Sequence, residues 1–362
     1  MRIVGVSDVS VGHGSPQILS LIKSLSKHYA TNQVYVLEPD QSNVAPYEDP
    51  DQELQVIRIH TAFDAYSTLG RREYNVLAAK KVDQLKPDIV VIFCTYCLPV
   101  LFKLKKKPEF VIYYHLEYAP FYGDFDVQMN RIVGDRVDLV IYPEVNRAIF
   151  DIAVCGYKEV PIVTAYNIAG NRKDIHIISP DKRNNKILYQ GLISRRLTFA
   201  DYFLDGRLRD VPIDLYGRIS DEDQIELETA FSSTLNDIRY FGYVENAKLA
   251  SIRKQYAYSI VMWNPINENY YFACPNKFFE SIFDGVPPIA APHPQCKSII
   301  EQYECGIVMK DWSFESFYSA ISYAMEIYGT PSYYQMVENC RKAALTELNW
   351  EEQFSKIKRH LK

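Results

Sequence analysis

Short apolar runs rich in β-branched residues recur along the chain, and stretches of helical periodicity separate them. The first half contains seven such runs, at 2–6, 34–37, 56–59, 88–93, 110–114, 139–142 and 161–166. The second half contains six more, at 186–191, 213–217, 238–242, 258–263, 287–292 and 306–309. Strands that are apolar on both faces and alternate with amphipathic helices are typical of parallel sheets covered on both sides. The sequence therefore predicts two consecutive doubly wound α/β domains.

A polar segment at 166–174, with the sequence YNIAGNRKD, separates the two series of runs and is expected to be the hinge. We place an N-terminal domain at 1–168 and a C-terminal domain at 169–362. A chain of 362 residues is long enough for each domain to bury its own core. Ligands of open parallel sheets bind beyond the carboxyl ends of the strands, so a site is expected there, in the cleft between the domains.

The composition of the chain argues against several classes of protein. The chain has 40 Lys and Arg against 45 Asp and Glu, a net charge of −5, whereas a nucleic-acid-binding protein normally carries a basic stripe. Its seven cysteines, an odd number in mostly apolar surroundings, indicate a reduced chain without a disulfide framework. The first residues resemble no signal peptide, and the apolar runs are shorter than the roughly 20 residues of a membrane span. We expect a cytoplasmic protein that does not bind nucleic acid.

Two groups of polar residues in the first half are candidates for chemistry. His13, Gly14 and Ser15 precede an amphipathic helix that starts at about Pro16, so this segment is either a ligand loop or a plain tight turn. His115 ends the fifth apolar run, and the acidic residues Glu117, Asp124 and Asp126 follow it. An ionisable cluster at a strand end suits a general base or a contact to a sugar hydroxyl. The alternative is a histidine held by its own loop.

The most informative segment is NPINENYYFACPNKFFESIFDGVPPIAAP, at 264–292. Pro275 is expected to start a helix that Gly285 ends, with Lys277 and Glu280 three residues apart on one face. Free N–H groups and an ammonium suit a diphosphate, and a carboxylate suits a ribose diol. The alternative is an i,i+3 ion pair on a solvent-facing helix.

Six residues of this segment carry a resemblance to a known family: Pro275, Asn276, Lys277, Glu280, Gly285 and Pro287. Supporting segments follow in the family's order at 187–196, 214–219, 238–263 and 348–361. The second half thereby resembles the GT-B glycosyltransferases, in particular the family-4-like group that carries a PNKxxE variant of the donor-binding motif. The first half matches weakly, mainly through Gly14 and His115.

The resemblance implies a GT-B fold of two Rossmann-like domains facing across a cleft, with the last helix, about 348–362, packing on the N-terminal domain. It implies an acceptor-binding first domain and a second domain that binds a nucleotide diphosphate sugar, with a UDP-sugar favoured. Glu280 would bind the ribose, and Lys277 with the backbone of Cys274, Pro275 and Asn276 would hold the diphosphate. The second phosphate cation would be Arg195 or Arg196, and Arg218 is a further candidate for a contact near the base or phosphate. No metal is required, because cationic contacts stabilise the leaving nucleotide.

One position departs from the family pattern. The carboxylate expected eight residues before Glu280 is replaced by Phe272, and Glu268 is a nearby substitute. Retaining transfer is what the closest pattern implies, with His115 contacting the donor sugar. In an inverting enzyme, a carboxylate of the first domain would be the base, and Glu117, Asp124 and Asp126 are the nearest candidates.

The expected function is transfer of a sugar to a glycan or lipid-linked saccharide, in the synthesis of bacterial surface polysaccharide. A basic run of Lys103, Lys105, Lys106 and Lys107 is either a solvated loop or a peripheral contact with the anionic inner face of a membrane. Phe272 keeps a second hypothesis open, a non-catalytic GT-B subunit that assists a glycosyltransferase. A nucleotide-sugar epimerase on the same fold is a third.

Overall fold

The computed structural model describes residues 1–362 apart from 13, 14, 42, 43, 119, 121, 122, 157, 158 and 169. The chain divides into two compact units. The first unit comprises Met1–Ala169 together with Gln353–Lys362, and the second comprises Gly170–Glu352.

The first unit is built on a parallel sheet of seven strands. These are β1 Ile3–Val6, β2 Val34–Pro39, β3 Gln55–Ile59, β4 Ile89–Phe93, β5 Phe110–Tyr114, β6 Leu139–Tyr142 and β7 Ile162–Thr164. Their order in the sheet is β3-β2-β1-β4-β5-β6-β7, and neighbouring strands run parallel. Each apolar run of the first half forms one of these strands, as predicted. The strand order reverses between β1 and β4, the kind of point at which such sheets bind ligands.

Helices cover this sheet. They are α1 Pro16–His28, α2 Thr68–Leu85, α3 Pro99–Lys103, α4 Asp124–Val133 and α5 Val145–Cys155. In α1 the apolar residues Ile18, Leu21, Ile22 and Leu25 are buried, while Pro16 occupies the first turn, where its missing N–H costs no intrahelical hydrogen bond.

The second unit is built on a parallel sheet of six strands. These are β8 Asn184–Gln190, β9 Ile213–Tyr216, β10 Ile238–Tyr240, β11 Tyr256–Val261, β12 Pro288–Ala290 and β13 Ile307–Val308. Their order is β10-β9-β8-β11-β12-β13, again with parallel neighbours. The order reverses between β8 and β11. Both doubly wound sheets that the sequence predicts are thus present.

Nine helices accompany the second series of strands in the described part of the chain. They are α6 Arg195–Thr198, α7 Gln224–Ser233, α8 Asn246–Arg253, α9 Glu268–Tyr271, α10 Asn276–Phe283, α11 Pro294–Tyr303, α12 Phe314–Ile327, α13 Pro331–Thr346 and α14 Trp350–Lys358. Among the described residues, no helix combines the length and apolarity needed to cross a bilayer.

The last helix, α14, begins in the second unit and continues into the first from Gln353 onward. The Gln353 side chain accepts a hydrogen bond of 3.0 Å from the backbone N–H of Tyr166. The ring of Phe354 contacts the ring of His28, with centroids 6.3 Å apart. The predicted return of the last helix to the first domain is confirmed.

Two glycines bring backbone close together at the carboxyl ends of β8 and β9. Gly217 has a φ of +146°, and a Cβ built on it would lie 1.7 Å from the carbonyl oxygen of Gly191. The N–H of Gly191 donates to Tyr216 O at 2.9 Å. Only glycine fits at 217, because the turn needs a positive φ and leaves no space for a side chain.

Candidate active site

A cluster of charged and aromatic side chains lies where the second sheet reverses its strand order. β8 contributes Tyr189 and Gln190, Trp263 follows β11, and α10 contributes Lys277 and Glu280. The helix begins after Pro275, whose extended backbone (φ −75°, ψ 156°) ends the preceding loop, and it buries its apolar face through Phe278, Phe279 and Ile282.

Lys277 is a buried cation whose residue is 7% exposed. Its Nζ makes no hydrogen bond to any residue that the structure describes. The ammonium lies 4.3 Å from the centroid of the Tyr189 ring and 5.8 Å from that of Trp263, which gives it two cation–π contacts. Burial lowers the pKa of Lys277 to about 7. Since an unpaired charge is costly to bury, this arrangement suits a site that receives an anion.

The backbone leaves space around that ammonium. Gly191 follows β8 with a φ of +119°, and the nearest atom to a Cβ built on it would be Lys277 Nζ, at 3.7 Å. The N-cap residue of α10 is Pro275, whose side chain has no acceptor atom for the first N–H groups of the helix. A phosphate beside Lys277 would therefore also meet N–H groups at a helix N-terminus.

Glu280 does not pair with Lys277, so the i,i+3 ion pair considered from the sequence is wrong. Its Oε2 instead accepts hydrogen bonds of 2.8 Å from Gln190 Nε2 and 2.9 Å from Arg253 Nη1. The carboxylate is 24% exposed. Glu280 thus combines a fixed position with access to solvent, which a ribose-binding carboxylate requires.

The remaining residues of the motif lie around the start of α10. Cys274 is buried with its Sγ 3.5 Å from Cys296 Sγ, and Asn276 is half-buried. Phe272 packs edge-on against Tyr271, with centroids 4.9 Å apart. Glu268, the nearby substitute for the missing carboxylate, is exposed at the first turn of α9.

The three candidate arginines differ in how they are engaged. Arg195 donates to Asp201 Oδ1 at 2.9 Å and is also paired with Glu226, so two carboxylates already neutralise it. The exposed Arg218 lies 4.7 Å from the centroid of the Tyr243 ring. Arg196 is also exposed. Arg196 and Arg218 therefore fit a phosphate role better than Arg195 does.

His115 is completely buried in the first unit. Its Nδ1 lies 2.8 Å from Asp151 Oδ2, its Nε2 lies 3.0 Å from Thr95 Oγ1, and its ring meets Tyr142 edge-on. The ring has no exposed surface in this structure. Its partners come from α5 and from the segment after β4, and not from the histidine's own loop, as the alternative had it.

The other first-half candidates lie at or near the start of helices. Glu117 is 41% exposed and paired with Arg147 at 3.0 Å, and Asp124 is exposed at the start of α4. Ser15 precedes α1, but its side chain makes no capping hydrogen bond. His13 and Gly14 lie outside the described residues.

Two residues that the sequence did not single out belong with these sites. Asp8 follows β1, where the first sheet reverses its order, and burial raises its pKa to about 6 despite a hydrogen bond from Cys94 and the charge of Arg71. Its place just after a strand was the available signal. Arg253, at the end of α8, bonds to Glu280 across 27 residues of sequence, and no local pattern indicates that contact.

Comparison with known proteins places the fold. No family model and no curated protein sequence matches the chain. Among solved structures, sucrose-phosphate synthase of Thermosynechococcus elongatus is similar with a TM-score of 0.75 and 14% identity, over 99% of this chain and 98% of that one. HepE of Anabaena, in complex with UDP and glucose, is similar with a TM-score of 0.73 and 14% identity, over 99% and 98%. The lipopolysaccharide outer core galactosyltransferase WaaB is similar with a TM-score of 0.68 and 12% identity, over all of both chains. The chain has the GT-B fold.

Proposed function

We propose that this protein transfers a sugar from a nucleotide diphosphate donor to a glycan or lipid-linked saccharide acceptor. The observation that carries the proposal is the buried, unpartnered ammonium of Lys277, one helical turn from Glu280 at the switch point of the second sheet. An anionic ligand with a sugar diol next to its phosphates satisfies both side chains at once. The GT-B fold supports the same chemistry by analogy.

In this proposal Lys277 and the first N–H groups of α10 bind the donor diphosphate, and Glu280 accepts hydrogen bonds from the ribose. Charge-assisted contacts at the diphosphate also stabilise the departing nucleotide, so the transfer needs no metal. UDP is the first nucleotide to test, because HepE is described in complex with UDP and with UDP-glucose. The first unit then binds the acceptor.

The stereochemical outcome depends on a carboxylate. Phe272 offers none to the transferred sugar, and His115 is buried. If the transfer inverts the anomeric centre, a base must take the acceptor proton, and Asp8 suits this task because its pKa of about 6 keeps it ionised but basic near neutral pH. We rank it ahead of the exposed Glu117 and Asp124.

A surface glycan is the acceptor class we propose, with a cytoplasmic location, because WaaB is a lipopolysaccharide galactosyltransferase. A membrane contact through Lys103, Lys105, Lys106 and Lys107 is a weaker proposal. Lys105, Lys106 and Lys107 line a cleft of about 590 Å³ next to the amino ends of β4 and β5, which Asp83, Asp88 and Glu109 also line. Lys80 and Lys86 line it as well, so the three carboxylates offset only part of the attraction of the lysines to an anionic surface.

Thermal unfolding and calorimetry with UDP, GDP, CMP, dTDP and ADP test the proposal. A ligand that binds only the folded state raises its stability by RT ln(1 + [L]/Kd). We expect one diphosphate to stabilise the wild type and to lose most of that effect in Lys277→Ala and in Glu280→Gln. Release of nucleotide from the matching sugar donor then separates the enzyme from a non-catalytic GT-B subunit, the second candidate, which Phe272 favours. No stabilisation by any nucleotide contradicts the proposed function.

A further inference from the structure

The guanidinium of Arg253 lies at the centre of a buried polar network behind Glu280. Its side chain is 5% exposed. Its Nε donates to Asp284 Oδ2 at 2.7 Å. Its Nη1 donates to Gln190 Oε1 at 2.9 Å and to Glu280 Oε2 at 2.9 Å. One planar group of α8 thus joins the end of β8, the middle of α10 and the residue that follows α10.

Asp284 fixes this guanidinium in place. The aspartate follows α10 directly and is 3% exposed, and burial raises its pKa while the Arg253 charge lowers it. Lys254 Nζ adds a second, longer contact at 3.6 Å to the other carboxylate oxygen. Both partners are buried, so separating Arg253 from Asp284 would leave an uncompensated charge in the interior. The free-energy cost of that separation holds the arginine in this orientation.

The two carboxylate oxygens of Glu280 differ in their hydrogen-bond partners. Oε2 accepts from both Gln190 and Arg253, whereas Oε1 has no partner in the described part of the chain. The carboxylate is therefore held by one oxygen, and the other keeps its lone pairs. A vicinal diol that donates to Glu280 meets an acceptor already fixed in position.

We propose that Arg253 is a positioning residue, which acts through Glu280 to make the site selective for ribonucleotides over 2′-deoxyribonucleotides. The inference rests on the proposed function, since it assumes that Glu280 receives the ribose. In this role Arg253 does not contact the ligand, and its contribution is to orient the Glu280 carboxylate.

The test compares UDP with 2′-deoxy-UDP by calorimetry in the wild type and in Arg253→Lys. A lysine retains the positive charge but is a point donor, so it cannot bond Asp284, Gln190 and Glu280 in the geometry of a guanidinium fork. We expect the affinity for UDP to fall about tenfold, or about 1.4 kcal/mol. The affinity for 2′-deoxy-UDP should fall by a smaller factor, because its sugar keeps only the 3′-hydroxyl and so brings one donor to Glu280 instead of two.

Two further variants make the result specific. Lys254→Gln removes a charge that contacts the same Asp284 but touches neither Gln190 nor Glu280, and it should leave the ribose preference unchanged. Adding Arg253→Lys to Glu280→Gln should cost no further affinity for UDP, since the residue through which Arg253 acts is already altered.

The outcomes separate the two proposals. Full ribose preference in Arg253→Lys, or an additive effect in the double variant, overturns the role of Arg253 while wild-type UDP binding leaves the proposed function intact. Wild-type protein that binds no nucleoside diphosphate overturns both. If Arg253→Lys does not fold, Asp284→Asn decides, because it weakens the anchor of the same guanidinium. An undiminished ribose preference in that variant overturns the inference.

Discussion

Binding of a nucleoside diphosphate should be coupled to protonation of Lys277. In the free protein, burial holds the pKa of this lysine at about 7. At pH 8 the Lys277 amine is therefore neutral in about 90% of the molecules. A diphosphate beside Nζ favours the ammonium, which must then take up a proton as the ligand binds. We predict uptake of about 0.9 proton at pH 8 and very little at pH 6.

The size of the effect follows from the same pKa. Relative to a lysine that is already fully protonated, protonating a lysine of pKa about 7 lowers the affinity for the ligand by a factor of about 1.1 at pH 6 and about 11 at pH 8. The affinity for UDP should therefore fall about tenfold between these pH values, or about 1.4 kcal/mol, through Lys277 alone. The nucleotide's own phosphate ionises near pH 6, which changes affinity independently of the protein.

Calorimetry of UDP binding in two buffers of different ionisation enthalpy measures both the affinity and the proton count. Lys277→Met is the matched variant, because it keeps an unbranched side chain of similar length without a titrating group. Its pH dependence reports the nucleotide's ionisation, and the difference from wild type reports Lys277. Equal pH dependence in the two proteins, with no proton uptake at pH 8, would refute the assignment of Lys277 as the phosphate cation.

Three further predictions concern stability and turnover. Between pH 7 and 10.5, Lys277 binds more protons in the unfolded chain than in the folded chain. The free energy of unfolding of the wild type, measured in urea, should therefore rise with pH relative to that of Lys277→Met, by up to about 1.4 kcal/mol per pH unit. Gly217→Ala should lose more than about 2 kcal/mol in the same assay, since its Cβ would meet Gly191 O, whereas Gly242→Ala, with open space and a φ of +72°, should lose about 1 kcal/mol. If the transfer inverts the anomeric centre, Asp8→Asn should lower kcat at least about 100-fold and remove the limb near pH 6 from the kcat/KM profile. An unchanged profile would exclude Asp8 as the base.

The strands were predictable because each is apolar on both faces, and a parallel sheet between helices leaves that pattern in the sequence. The helix that carries Lys277 was predictable for a similar reason. Pro275 and Gly285 mark its two ends, and its apolar residues fall on one face. These are local signals, since each depends only on residues within a few turns.

The partners of the charged side chains were not predictable in the same way. Glu280 is paired with Arg253 and Gln190, which lie 27 and 90 residues away, rather than with its neighbour Lys277. Arg195 is neutralised by Asp201 and Glu226. Such contacts depend on which strand ends the topology brings together. The hydrophobic periodicity of the sequence and the spacing of its motifs therefore do not predict them.

The most direct test of the account is a crystal structure of the protein with UDP. We predict a diphosphate oxygen within hydrogen-bond distance of Lys277 Nζ and the ribose hydroxyls on Glu280 Oε1, with the Arg253 network unchanged. UDP bound with its diphosphate away from Lys277, or no UDP in crystals soaked at a concentration that stabilises the protein in solution, would contradict the assignment of Lys277 and Glu280 to the donor site.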